Sequence, residues 1–246
     1  MRFPAPLHHG RLLRRYKRFL ADVDLAGVGP VTVHCPNPGA MTGLDAPGSD
    51  VWVSPAPGAG RKLAWTLEIV RAPAEQGGGL VGINTGHPNR IAAEAIAGGR
   101  IPALAGYPTV RREVRYGANS RIDLLLEADD RPPAYVEVKN VHLRRGVSTV
   151  AEFPDCVTAR GAKHLDELAA MVATGARAVM LYVVQREDCD RFAVAADIDP
   201  AYATGLARAT AAGVEAICLA CAVTTDAIVL DRPLPVTLPA VADRAA

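Results

Sequence analysis

Ser120-Arg121-Ile122-Asp123-Leu124-Leu125-Leu126, followed after a turn by Tyr135-Val136-Glu137-Val138-Lys139, sets an Asp at the head of one apolar strand and a Glu-x-Lys in the next. Side chains alternate across a strand, so Glu137 and Lys139 share one face while Val136 and Val138 share the other. Two carboxylates and an ammonium converging at a strand pair make a small site for a hard divalent ion. Oxygen ligands of this kind suit Mg²⁺ or Mn²⁺, which keep several waters and bind through one or two carboxylates. Lys139 is then placed to orient a water or take its proton, which suits cleavage of a phosphodiester. The competing reading is a solvated face or a surface ion pair. Against it stands the scarcity of lysine: among 27 basic residues only Lys17, Lys62, Lys139 and Lys163 are lysines. Arginine stays protonated, whereas a desolvated lysine can titrate.

Strand and helix signals organise the chain around this pair. Residues 10–84 read as short strands over Arg11–Leu25, Val31–His34, Asp50–Ser54, Leu63–Arg71 and Leu80–Asn84. They are broken at Gly29-Pro30, Pro36-Asn37-Pro38-Gly39, Pro47-Gly48, Pro55–Gly60 and Gly77–Gly79. Five strands without a strong helix predict a small closed β-barrel of the oligonucleotide-binding (OB) type. The texture changes near residue 85. Pro88 opens a helix through about Ala97, ended by Gly98-Gly99. Strands follow over Thr109–Tyr116, Ile122–Glu127 and Ala134–Val141. Helices are expected over Val157–Thr174 and Pro200–Ala212, and further strands over Ala178–Val184 and Val214–Ala222. This order predicts a mixed sheet flanked by helices, an α+β chain with domains 1–84 and 85–246, and an extended tail after Pro233.

Composition narrows the function. Half of the 246 residues are hydrophobic and the net charge is +1, so no global charge argues for an acidic partner. The first 20 residues, however, carry Arg2, Arg11, Arg14, Arg15, Lys17 and Arg18 and no acid. Arg14-Arg15-Tyr16-Lys17-Arg18-Phe19 interleaves cations that neutralise phosphates with aromatics that stack on bases. Read as a strand, it shows Arg14, Tyr16 and Arg18 on one face and Arg15, Lys17 and Phe19 on the other. The aromatics could equally fill the barrel core. On the 157–174 helix, Arg160, Lys163 and Glu167 lie off the apolar stripe and could reach a phosphate or form a wet face. Glu94 is a candidate third carboxylate, with surface exposure as its alternative. No apolar run spans a membrane or follows the N-terminal arginines as a secretory signal would. Five scattered cysteines fit a reducing compartment. A cytoplasmic protein without membrane partners is expected. Cys218 and Cys221 read as two buried thiols, and the six histidines show no ligand spacing.

The segments Arg14–Leu20 (RRYKRFL), His34–Thr42 (HCPNPGAMT), Asn84-Thr85 with Asn89-Arg90, Ser120–Asp123, Glu137–Lys139 and Phe153–Leu165 (FPDCVTARGAKHL) run in order over nearly the whole chain. In them the chain resembles the sugar fermentation stimulation protein family. The resemblance implies an N-terminal OB-like barrel and a restriction-endonuclease-like domain of the PD-(D/E)xK nuclease superfold. It also implies DNA binding and a part in bacterial sugar-metabolism regulation. The superfold motif falls on Asp123, Glu137 and Lys139, with Ile122 in place of its Pro. Two functions follow as expectations: a Mg²⁺- or Mn²⁺-dependent deoxyribonuclease, or a DNA-binding regulator that keeps the nuclease fold without turnover. A small-molecule hydrolase using the same site is a third, disfavoured by the basic N-terminal segment.

Overall fold

The computed structural model describes residues 1–56, 62–117 and 120–239. The N-terminal part is a barrel of β1 (His8–Tyr16), β2 (Leu20–Leu25), β3 (Gly29–His34), β4 (Asp50–Pro55) and β5 (Trp65–Arg71). They pair in the order β3-β2-β1-β4-β5, and a parallel contact between His34 and Thr66 closes the ring. A short β6 (Leu80–Gly82) adds to β5. Leu12, Val23, Leu25, Val33, Val51, Val53 and Leu67 fill the interior, as alternation within each strand dictates. The expected turn at Pro55–Gly60 falls mostly outside the described residues.

One expected strand is in fact two. Arg11–Leu25 turns back on itself at Lys17 and Arg18, whose φ values of 49° and 62° are left-handed. Neither residue type announces a turn, so the sequence reads straight through it.

The C-terminal part begins with α1 (Pro88–Ala97), then β7 (Thr109–Tyr116), β8 (Ser120–Ala128), β9 (Arg131–Val141) and β10 (Val150–Phe153). It continues with α2 (Ala159–Ala173), β11 (Arg177–Val184), β12 (Arg191–Val194), α3 (Pro200–Ala211), β13 (Glu215–Val223), β14 (Ile228–Pro233) and β15 (Val236–Thr237). The main sheet has the order β14-β13-β11-β9-β8-β7 and is mixed: β9, β11 and β13 are parallel, the remaining pairs antiparallel. Strands β10, β12 and β15, which carry no strong sequence signal, form a small parallel sheet.

Both sheet faces are covered, so its strands read as apolar runs. Ile91, Ala92, Ala95 and Ile96 of α1 pack with Leu124, Val136 and Val138 on one face. Leu165 and Leu168 of α2 and Tyr202 and Leu206 of α3 pack with Ile122, Leu125 and Val141 on the other. Cys218 and Cys221 are free, buried and divided between the two cores. Asp199 ties the starts of the two helices together, accepting from Thr158 N (2.7 Å) and Tyr202 N (2.9 Å).

Barrel and sheet are firmly docked. Gly82 N donates to Gln185 O (2.8 Å), and the fully buried Arg186 donates to Gln76 Oε1 and His142 O. The Asn37–Ala40 loop of the barrel meets the loop before α2, where Ala40 N donates to Asp155 Oδ2 (3.0 Å). No helix among the described residues is long and apolar enough to cross a membrane.

Candidate functional site

The sheet splits at its centre. Antiparallel pairing of β8 with β9 runs from Ala128–Arg131 only as far as Leu124–Val136. Beyond that, β8 pairs with β7 alone and β9 with β11 alone. Asp123 sits in the resulting fork, and its Oδ2 accepts the Val138 amide (2.8 Å) that β8 no longer satisfies. Its Oδ1 accepts from Asn89 Nδ2 at the start of α1 (2.7 Å). A carboxylate oxygen offers two acceptor positions, so each Asp123 oxygen retains one.

Glu137 stands across the fork on β9, 3% exposed. Lys139 Nζ donates to its Oε1 (2.8 Å), and His164 Nδ1 on α2 bonds the same oxygen. Arg160 Nε donates to His164 Nε2 (3.3 Å), so Nε2 is an acceptor and the proton is assigned to Nδ1, facing Glu137. With Oε1 taken twice, Glu137 Oε2 is buried without a hydrogen-bond partner. Both Glu167 oxygens and the Tyr116 hydroxyl are buried and unpartnered as well, although Lys163 Nζ lies 3.6 Å from Glu167.

The electrostatics follow from this arrangement. Burial, then the Glu137 charge, raises the Asp123 carboxyl above the ordinary aspartate range, against the opposing bonds from Val138 and Asn89 and the charge of Lys139. Burial pushes Glu137 upward too, but His164 and Lys139 outweigh it and hold the group below the usual range. Burial, with the charges of Glu137, Glu167 and Asp123, drives the Tyr116 phenol well up.

Asp123, Glu137 and Lys139 are therefore brought together, and Glu94 is not. Glu94 pairs with the Met1 α-amine (2.9 Å) and Arg90 Nε (2.8 Å) beside Val229 and Leu230 of β14, at the far edge of the sheet. Asn89, five residues earlier on α1, is the residue that reaches the fork. His164 reads in the sequence as one more helix residue, yet it is 4% exposed and central to the site. The available signal was its place one helical turn after Arg160 and next to Leu165 of the apolar stripe. Among the described residues no three His, Cys, Asp or Glu side chains form a finished metal cage. Two carboxylates and an unsatisfied buried oxygen still suit a cation that keeps most of its waters.

The basic residues of the barrel divide into two groups. Arg14 pairs with Asp22 (2.7 Å) over the Tyr16 ring, and the Tyr16 hydroxyl donates to the same carboxylate. Arg15 donates to the Asn37, Gly39 and Ala40 carbonyls and so braces the loop against the sheet domain. All three have partners within the chain, although Arg14 stays 68% exposed. Lys17 and Arg18 project from the turn, exposed, and Phe19 beside them is 46% exposed and stacked on His34. Arg15 bonds both the Arg18 carbonyl and the Asn37–Ala40 loop, and Ala40 N meets Asp155 just before α2, so the turn and the exposed Arg160 and Lys163 flank one region.

Comparison with known proteins bears on the whole length. A family described as "SfsA N-terminal OB domain" matches residues 13–83, and one described as "Sugar fermentation stimulation protein RE domain" matches residues 86–227. A sugar fermentation stimulation protein homolog of Rhodospirillum centenum is 65% identical over 95% of this chain and 98% of its own. One of Paramagnetospirillum magneticum is 57% identical over 97% and 98%. The structure of Pyrococcus furiosus SfsA in complex with Ca²⁺ superimposes with a TM-score of 0.84 at 28% identity, covering 97% of this chain and 98% of that one.

Proposed function

The chain belongs to the sugar fermentation stimulation protein family, and from that premise we propose that it binds DNA and hydrolyses its phosphodiester bonds with Mg²⁺ or Mn²⁺ at the fork. The observation that carries the proposal is Glu137 Oε2, a buried carboxylate oxygen with no hydrogen-bond partner, on a residue whose charge acts on Asp123, where each carboxylate oxygen keeps a free acceptor position. An oxygen in that state is costly unless something binds it. The Pyrococcus furiosus relative in complex with Ca²⁺, another oxygen-seeking divalent ion, supports the assignment.

Asp123 and Glu137 would hold the ion. Bound there, it supplies positive charge that stabilises the phosphoryl transition state and activates water. His164 and Lys139 fix Glu137 through Oε1, so that Oε2 alone is presented. Lys139, an ammonium held on Glu137 Oε1, would orient the attacking water by donating to it through Nζ, and the proton the water loses would pass to a phosphate oxygen of the substrate. Lys17, Arg18, Arg160 and Lys163 bind flanking phosphates, and the Phe19–His34 stack offers a base its face. A location in the cytoplasm, where DNA is reached, belongs to the same proposal.

A second reading has its own support. Lys139 is occupied by Glu137, and no three metal-binding side chains converge among the described residues. Such a resting site fits a DNA-binding regulator of sugar-metabolism genes that has kept the nuclease fold without turnover. The deciding experiment incubates single- and double-stranded DNA with the full chain and Mg²⁺ or Mn²⁺. The nuclease reading predicts cleavage that EDTA and Asp123→Ala abolish. Binding without cleavage under either metal gives the regulator.

A further inference from the structure

The β7–β8 hairpin sets two arginines against each other. Arg115 lies directly opposite Arg121, and Arg112 lies opposite Leu124, so the three bracket Asp123 along the outer arm of the fork. Like charges at opposed strand positions repel. Arg111, on the same strand, pairs with Glu127, but Arg112, Arg115 and Arg121 are exposed and form no salt bridge among the described residues. Their direction follows from the core. Val114, Tyr116 and Ile122 pack beneath α2, so Arg115 and Arg121 turn to the opposite face. Arg112, beyond the left-handed Glu113 that interrupts the alternation, lies opposite Leu124 of the α1-side core and shares that face. On that face Asn89 of α1 reaches Asp123. Arg121 is two residues from Asp123, roughly 7 Å along the strand and within reach of a long side chain.

The fork itself explains the need. Its two carboxylates repel an approaching phosphate. On the α2 side Arg160 and Lys163 offset this. On the α1 side Arg90 is tied to Glu94, whereas the three hairpin arginines beside Asp123 have no salt bridge among the described residues.

We infer that Arg112, Arg115 and Arg121 form a second phosphate-contact surface, which holds the backbone of DNA against the fork from the side opposite α2. The inference rests on the DNA-binding reading above and adds to it a surface and its chemistry. Strand β7 is a sheet edge, and charges on an edge also guard against strand pairing between molecules. That role makes a different prediction.

The test is duplex DNA binding followed by fluorescence anisotropy over a salt series, in Ca²⁺, with the full chain. Arg112→Gln/Arg115→Gln/Arg121→Gln should reduce the slope of log affinity against log salt by about 2 to 3. The loss should be largest at low salt and shrink as salt rises. Arg131→Gln/Arg177→Gln/Arg208→Gln, which removes the same charge from residues paired with Asp130, Glu215 and Asp166, should keep the wild-type slope. Melting of the hairpin variant should be unchanged or raised, because a repulsion is gone. If the triple variant does not fold, Arg121→Gln alone should lower the slope by about 1. A wild-type slope in the folded hairpin variant overturns the inference, as does self-association of that variant with DNA binding unchanged. A wild-type chain that binds no DNA overturns the parent reading instead, and this inference with it.

Discussion

Two buried glutamates, one in each half of the molecule, show opposite ways of keeping a carboxylate out of water. Glu68 on β5 is 5% exposed, and both its oxygens are satisfied: Ser54 Oγ donates to Oε1 (2.7 Å), and Asn84 Nδ2 (2.8 Å) and His87 Nε2 (2.7 Å) meet Oε2. The network joins the barrel to the segment that opens α1. Glu137 is as deeply buried, yet its partners crowd onto one oxygen and leave the other bare. A completed network is a structural joint, because nothing is left for a ligand to satisfy. An incomplete one holds free energy that a cation can release.

The largest effect that would break this contrast is expected at Lys139. Lys139→Ala should lower DNA cleavage by about 10²- to 10⁴-fold, about 3 to 5 kcal/mol of barrier, while DNA binding persists. Next is His164→Ala, which frees Glu137 to turn. Divalent-cation affinity should fall about 10- to 100-fold, as for other residues that orient a ligand, and His164→Gln, which keeps a donor, should recover part of it. Cation titration calorimetry reads both variants.

Glu68→Ala should do the reverse. Stranding its donors should cost about 1 to 3 kcal/mol of stability, or roughly 2 to 4 °C of melting temperature per kcal/mol, with cation binding by the folded protein unchanged.

The smallest effect concerns Asp123. Its carboxyl is raised by burial and by Glu137, so its contribution to stability is present when it is protonated and is lost as pH rises through the raised value. Glu137 is lowered, so its contribution is present above the unfolded value and is lost as pH falls through the lowered one. Asp123→Asn should therefore stabilise the chain by about 1 kcal/mol at neutral pH, with the gain vanishing in acid below the raised Asp123 value. Thermal melts across that window check the sign. In the wild type, cation affinity should climb through the same window and level off above it.

Sequence and structure agree where one physical rule decides and part where two compete. Alternation and apolar stripes located most barrel strands, α1, α2, α3 and the central strands of the sheet, because burial of one or both faces writes itself into the pattern. The Lys17-Arg18 turn was invisible because its left-handed residues are long cations instead of Gly or Asn. Composition cannot tell a free guanidinium from one bound to Asp22, as Arg14 is, or to loop carbonyls, as Arg15 is, so these bonds are not legible in the sequence. Glu94 is a candidate third carboxylate in the sequence, with surface exposure as its alternative, and the helix leaves it 44% exposed beside β14. The Asp123/Glu137/Lys139 set was legible because strand alternation fixes its face. Asn89 and His164 were not, since each reaches the fork only through the packing of its helix.

The most direct test titrates Mn²⁺ into the full chain, into Glu137→Gln and into Glu68→Gln, and counts bound ions by electron paramagnetic resonance. The account predicts binding in the wild type and in Glu68→Gln, and its loss in Glu137→Gln. Binding that survives Glu137→Gln would contradict it.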